Sequence, residues 1–240
     1  KGPLPDRITV DLLRQIDRGT VRVEDRDRQH LIDAYDAEIR SMDRAFGVFV
    51  SFLKEKGLYD PALIVVTSDH GEEFGEHGRL GWHSHSLFDE LLRVPLLVKL
   101  PASRLAGTSV ADQVRGIDVA PTVLSALGLG LPSAFEGHSA LDEGARRGDA
   151  NEVWSSRDVT TPHSVVSLRT PEWKLFDGRL YSLADDPGEQ HDVAKAHEDV
   201  ARRLGARRKA LATERPRPAP RSAAPDDALR ERLRSLGYVE

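Results

Sequence analysis

Between residues 32 and 53, apolar side chains recur at intervals of 3, 4, 3, 4, 3 and 4: Ile32, Tyr35, Ile39, Met42, Phe46, Phe49 and Leu53. That rhythm places them on one stripe of an amphipathic helix, which Gly57 ends. The pattern then changes. Leu63-Ile64-Val65-Val66 is a short, mostly β-branched run between Asp60-Pro61 and Ser68-Asp69, and it predicts a buried strand. Residues 86–92 read as a short helix. Val94-Pro95-Leu96-Leu97-Val98-Lys99-Leu100 reads as a second buried strand, with Pro95 near its start, where a missing N–H is tolerated. Residues 114–117 can form a third. Asp118 then caps a helix with Pro121 in its first turn and Gly128 just past its end. This alternation predicts an α/β fold, a mostly parallel sheet flanked by helices.

The ends of the chain differ in texture. Residues 1–28 are polar and read as an irregular lead-in with a short helix over 10–16. After residue 150, short alternating segments at 153–156, 164–169, 173–176 and 179–183 are joined by turn residues such as Asp177-Gly178, which predicts a small antiparallel sheet. Trp154 and Trp173 are expected in its core. Residues 193–212 form a basic helix, 214–225 an extended Pro/Ala/Arg linker, and 227–236 a last short helix with Leu229, Leu233 and Leu236 on one face. The expected division is 1–150 for the α/β part, 151–213 for the sheet and helix, and 214–240 for the linker and tail.

Composition narrows the class. The 240 residues are 39% hydrophobic and 30% charged, with a net charge of -5, so neither a nucleic-acid platform nor an acidic tail is indicated. No apolar run is long enough to cross a membrane. Cysteine is absent, which removes disulfides, thiolate metal sites and a cysteine nucleophile. The chain begins at Lys1 without a charged-then-apolar leader, which suggests a processed or truncated piece.

The chemistry is concentrated in one place. Four of the nine histidines (His70, His77, His83 and His85) fall just past the first strand, among glycines and carboxylates. In α/β sheets, ligands bind beyond the carboxyl ends of the strands, where Asp69 and His70 are expected. A carboxylate beside a neutral imidazole suits Zn²⁺, Ca²⁺ or Mn²⁺. Glu72, Glu73 and Glu76 read as a solvated or helix-capping face. Trp82 reads equally as a pocket wall or a packed loop anchor, and His163 as a weak substrate contact. Arg169 reads as structural.

The segments Asp69-His70-Gly71-Glu72-Glu73-Phe74-Gly75-Glu76-His77-Gly78, His85-Ser86-Leu87-Phe88-Asp89-Glu90 and Arg93-Val94-Pro95-Leu96-Leu97-Val98 resemble the C-terminal half of the sulfatase family, within the alkaline-phosphatase-like superfamily. The likeness extends to residues 35–46, to Ile117-Asp118-Val119-Ala120-Pro121-Thr122, to residues 180–189, to Gly137-His138 (given no catalytic role) and to Leu236-Gly237-Tyr238-Val239. The resemblance implies a partial alkaline-phosphatase-like fold and a metal-dependent hydrolase of small-molecule or glycan sulfate esters. Asp69 and His70 match the pair that completes the divalent metal site, with Ca²⁺ the usual ion and Zn²⁺ or Mn²⁺ the alternatives. His85 matches the catalytic histidine that contacts the sulfate or protonates the leaving group. Ser84 stands where many members carry lysine, so anion binding falls to His83, His77 or a group outside the chain. The family's Cys- or Ser-based C/S-x-P-x-R motif, whose first residue becomes formylglycine, is absent, as is its first Asp pair. The chain therefore reads as the C-terminal part of an enzyme whose nucleophile lies elsewhere and which is inactive alone. Family resemblance also favours a periplasmic, extracellular or membrane-associated location.

Two other readings stand beside this one. A phosphatase, phosphodiesterase or phosphonate hydrolase of the same superfamily also uses an Asp-His pair, and His70 in place of Asn with Ser84 in place of Lys lean that way. A non-catalytic anion-binding module would use the basic helix with Arg202, Arg203, Arg207, Arg208 and Lys209.

Overall fold

A computed structural model describes residues 9–81, 86–142, 152–157 and 165–214. The lead-in holds α1 (Val10–Asp17), whose first turn is capped by the Thr9 hydroxyl, which accepts from the Leu12 amide at 3.2 Å. Helix α2 (Asp25–Glu55) has 31 residues and begins where the Asp27 carboxylate accepts the Glu24 amide at 3.0 Å. Its N-terminal end is packed: Leu31 and Leu80 are buried together against Leu12, Ile16, Val21, Val23 and Phe74. Tyr35 meets Phe74 edge-on at 5.2 Å. Beyond that the stripe faces outward, with Ile39 51%, Met42 74% and Phe49 49% exposed. The 3-4 periodicity thus identifies the helix correctly but does not supply a partner for its apolar face.

Strand β1 (Ile64–Thr67) pairs with β2 (Leu96–Lys99) in antiparallel register, Ile64 opposite Lys99 and Thr67 opposite Leu96. The Lys99 ammonium holds the entry to β1 by donating to the carbonyls of Tyr59, of Asp60 at 2.7 Å and of Ala62 at 3.0 Å. The parallel sheet expected for this half is not seen among the described residues, and both strands are only half-buried. The connection between them, residues 68–95, holds one short helix among its described residues, α3 (Asp89–Leu92), of four residues.

The strand expected at 114–117 is also absent. Asp118, fully buried, accepts the Arg115 amide at 2.9 Å and grips the same residue's guanidinium at 2.9 and 3.2 Å, which winds Gly116–Asp118 into a 3₁₀ turn. Helix α4 (Val119–Ala126) follows directly and ends at Gly128 with φ +69. The Asp118 carboxylate does not cap α4 as expected; its other contact is the His138 amide, at 2.9 Å. A Cβ at Gly137 would lie 2.1 Å from the Ile117 carbonyl, so only glycine admits this approach.

The small sheet agrees with the periodicity. Strands β3 (Val153–Arg157), β4 (Val165–Arg169), β5 (Trp173–Phe176) and β6 (Arg179–Ser182) form an antiparallel meander in chain order. The β5–β6 turn has positive φ at both Asp177 (49°) and Gly178 (74°), the signature of a two-residue I′ hairpin. Alternation gives the sheet two working faces. Leu168, Leu175 and Leu180, with Trp173 packed beside them, meet Leu204 and Leu211 of α5 (Glu198–Glu214). Phe176 and Tyr181 point the other way, into a cluster with Leu87, Phe88 and Leu92 around α3. Lys174 lies opposite Tyr181 on that second face. Of the linker and tail expected at 214–240, Glu214 instead ends α5, and the rest, like the Trp154 side chain, lies outside the described residues.

Candidate functional site

Beyond Thr67 the chain turns into Ser68-Asp69-His70. The Ser68 hydroxyl donates to the His70 carbonyl at 2.7 Å, and the His70 amide donates to Asp69 Oδ1 at 3.0 Å. The His70 ring is set by Nδ1, 2.7 Å from the Gly71 carbonyl. A carbonyl only accepts, so Nδ1 carries the proton and a neutral ring presents its lone pair at Nε2. Asp69 Oδ2 lies 3.7 Å from that nitrogen. A carboxylate oxygen and an imidazole lone pair are both groups that a divalent cation takes as ligands. A metal-binding histidine whose other nitrogen donates to a backbone carbonyl is the usual outer-shell arrangement. The pair therefore fits a divalent cation. The Asp69 side chain is 68% exposed and that of His70 32% exposed. Among the described residues no group of three or more His, Cys, Asp or Glu side chains could hold a metal ion.

The loop is tied to α3. The Gly71 amide donates to the Leu91 carbonyl at 2.9 Å. The ring of His77 stacks on Phe88 with centroids 3.4 Å apart. Its Nδ1 meets Glu90 Oε1 at 2.7 Å, and its Nε2 meets the Glu189 carbonyl at 3.1 Å. Both nitrogens of this substrate-side candidate thus face protein groups. The other two candidates, His83 and His85, lie outside the described residues, as do Trp82, Ser84 and His163.

Glu73 departs from the solvated reading. It is 1% exposed, accepts the Ser86 hydroxyl at 2.6 Å, and has its second oxygen buried with no hydrogen-bond partner among the described residues. Burial pushes its carboxyl above the ordinary glutamate range, and the Ser86 hydrogen bond only partly offsets that. Glu76 does act as a local cap, accepting the Phe74 amide at 2.7 Å. Glu73, His77, Ser86, Phe88, Arg179 and Tyr181 help line a cleft of about 500 Å³ between the loop and the small sheet.

A group not foreseen from the sequence lies behind α3. Lys174 is fully buried, with its ammonium 2.9 Å from Asp89 Oδ1 and 2.9 Å from Glu189 Oε1. Arg169 grips the same Asp89 with Nε at 3.2 Å and a terminal nitrogen at 3.0 Å, which fits the structural role expected for it. Burial alone would raise the Asp89 carboxyl, but Arg169 and Lys174 together hold it below the usual aspartate range. Glu189 is raised instead, because burial outweighs what Lys174 returns. The available signal was a lysine inside an apolar strand, Trp173-Lys174-Leu175-Phe176, at a position whose alternation points inward. On α5, Arg207 is paired with Glu152 at 2.7 Å, so that part of the basic helix serves the fold.

Known proteins carry the same pattern. A family model described as Sulfatase matches residues 12–129, and one described as N-sulphoglucosamine sulphohydrolase, C-terminal, matches residues 75–214. An N-acetylglucosamine-6-O-sulfatase of Bacteroides thetaiotaomicron is 27% identical over 69% of this chain and 32% of its own length. Arylsulfatase K of Bos taurus is 25% identical over 85% of this chain and 41% of its own. The crystal structure of a phosphonate monoester hydrolase of Agrobacterium radiobacter superposes with a TM-score of 0.65 at 28% identity, covering 78% of this chain and 41% of that one. The chain thus spans about a third to two-fifths of the length of these two relatives. No helix among the described residues is long and apolar enough to cross a membrane.

Proposed function

We propose, for a chain that belongs to the sulfatase family, that it contributes one wall of the active site of a metal-dependent sulfuric-ester hydrolase. The observation that carries this reading is the His70 ring, fixed by Gly71 so that Nε2 and Asp69 Oδ2 converge at 3.7 Å. Asp69 and His70 would hold the ion, Ca²⁺ first and Zn²⁺ or Mn²⁺ as alternatives. When bound, it supplies positive charge for the oxygens of the transferring group. His85 donates a proton to the oxygen that leaves as the S–O bond breaks, so that the alcohol departs neutral. The nucleophile, a formylglycine in this reading, lies outside the chain. Two findings favour such a division: the coverage of the relatives, and the exposed apolar stripe of α2.

A second reading, hydrolysis of a phosphate or phosphonate ester at the same place, is favoured by the likeness to the phosphonate monoester hydrolase. The test is metal analysis and turnover of the complete protein with an aryl sulfate and an aryl phosphate, alongside Asp69→Ala and His85→Ala. Metal loss in the first variant and slow turnover in both support the site. Unchanged metal content and turnover in both would remove it, and the preferred substrate decides between the esters.

A further inference from the structure

We propose that Lys174, on the small sheet, is a positioning residue for the Asp69–His70 pair, acting through α3; the inference rests on the metal reading above. The path is continuous. The Lys174 ammonium binds the Asp89 carboxylate at 2.9 Å and the Glu189 carboxylate at 2.9 and 3.1 Å. Glu189 Oε2 in turn accepts the Asp89 amide at 2.6 Å. The first residue of α3 is therefore held at both its side chain and its backbone, by one buried cation and that cation's partner. Two residues on, the Leu91 carbonyl takes the Gly71 amide at 2.9 Å, and the Gly71 carbonyl holds His70 Nδ1 at 2.7 Å. The approach leaves no slack, because a Cβ at position 71 would lie 1.9 Å from the Glu90 carbonyl oxygen. A shift of α3 must therefore displace the His70 backbone and reorient its ring.

Stability alone does not account for a fully buried lysine between two carboxylates. Well-packed apolar residues commonly serve as well as a buried ion group. What the ions add is direction: an ammonium with three donors fixes the position of α3 relative to β5 in a way that apolar contact does not. The small sheet is thereby a working part of the site and not a module hung on it.

The experiment is titration of the complete protein with Ca²⁺ and with Mn²⁺, followed by calorimetry well below the melting temperature. Lys174→Met removes the cation. Asp89→Asn keeps the shape of its partner, and decides the matter if the first variant does not fold. Leu180→Ala is the control: it weakens the opposite face of the same sheet without touching the ion cluster. We expect both ion-cluster variants to bind the ion about tenfold more weakly, the low end for outer-shell partners of a metal ligand. Leu180→Ala should lower the melting temperature and leave the affinity unchanged. Wild-type affinity in both cluster variants, or an equal loss in Leu180→Ala, overturns the inference while the metal site stands. Absence of binding in the wild type, or binding that Asp69→Ala does not reduce, removes the metal reading and this inference with it.

Discussion

The amide of Gly71 donates to the carbonyl of Leu91 at 2.9 Å, and the backbone passes so close to α3 that no side chain fits between them. Gly71→Ala is therefore expected to destabilise the protein by about 1–3 kcal/mol or more, since the obstacle is backbone and cannot rotate away. Gly47, inside α2 with open space where its Cβ would be, is the contrast. Gly47→Ala should stabilise by about 0.5–1 kcal/mol. Urea unfolding of the two variants checks both signs.

His77 has both nitrogens engaged and its ring stacked on Phe88. Its replacement by alanine should cost about 1.5–3 kcal/mol, the range for hydrogen bonds to charged groups, with turnover per folded molecule nearly unchanged. An unaltered melting temperature combined with weaker substrate binding would return His77 to the substrate side.

Acid should unfasten α3. The Asp89 carboxyl is held below its unfolded value of about 3.9, so its contribution is complete above that pH and is lost as pH falls through the lower folded value. Asp89→Asn should be less stable than the wild type at pH 6, and the gap should narrow as pH falls below about 4. A gap that stays constant across that range would exclude the ion pairs as its source.

Glu73 predicts the opposite slope. Its folded pKa lies above the unfolded value of about 4.3, so ionising it opposes folding as pH rises from there through the folded value. Relative to the wild type, Glu73→Gln should therefore gain stability between pH 4 and pH 8. A difference that shrinks as pH rises would contradict the burial of this carboxyl.

The outer stripe of α2 should betray itself when residues 1–240 are made alone. Met42, Phe49 and Phe52 are 74%, 49% and 48% exposed. Contiguous apolar surface of this kind promotes association. The chain is expected to bind a hydrophobic dye and to self-associate, and Met42→Lys with Phe49→Lys should reduce both. A dye-silent monomer at high concentration would mean that the stripe is covered from within the chain.

Much of this architecture is visible in short-range pattern, and its limits are physical. The stripe from Ile32 to Leu53 specifies α2, and alternation with Asp177-Gly178 specifies the β5–β6 hairpin, because both depend on neighbours a few residues away. Residues 114–117 have the composition of a strand, but Asp118 offers Arg115 a nearer set of partners, and a local turn wins over a distant ladder. Antiparallel pairing of β1 with β2 is a matter of strand direction, which the apolar pattern of a short buried run does not encode. Chemistry and position single out Asp69 and His70, and the fold brings their side chains to 3.7 Å. The Lys174–Asp89 pair joins residues 85 apart in the chain, and only an inward-facing lysine hints at it.

The meander has a further consequence, for the order of events in folding. Each of its strands pairs with its neighbour in the chain, and α5 closes over it from the same stretch of sequence. Such local closures form fast, whereas contacts across long separations wait for the entropy of the intervening loop to be met. The ion cluster is then a late knot, tied after the hairpins exist and the first to come undone. Amide exchange should show the Gly71 and Asp89 amides opening together while the β5–β6 ladder remains protected. A metal site hung on the last contact to form would be assembled only in molecules that have finished folding.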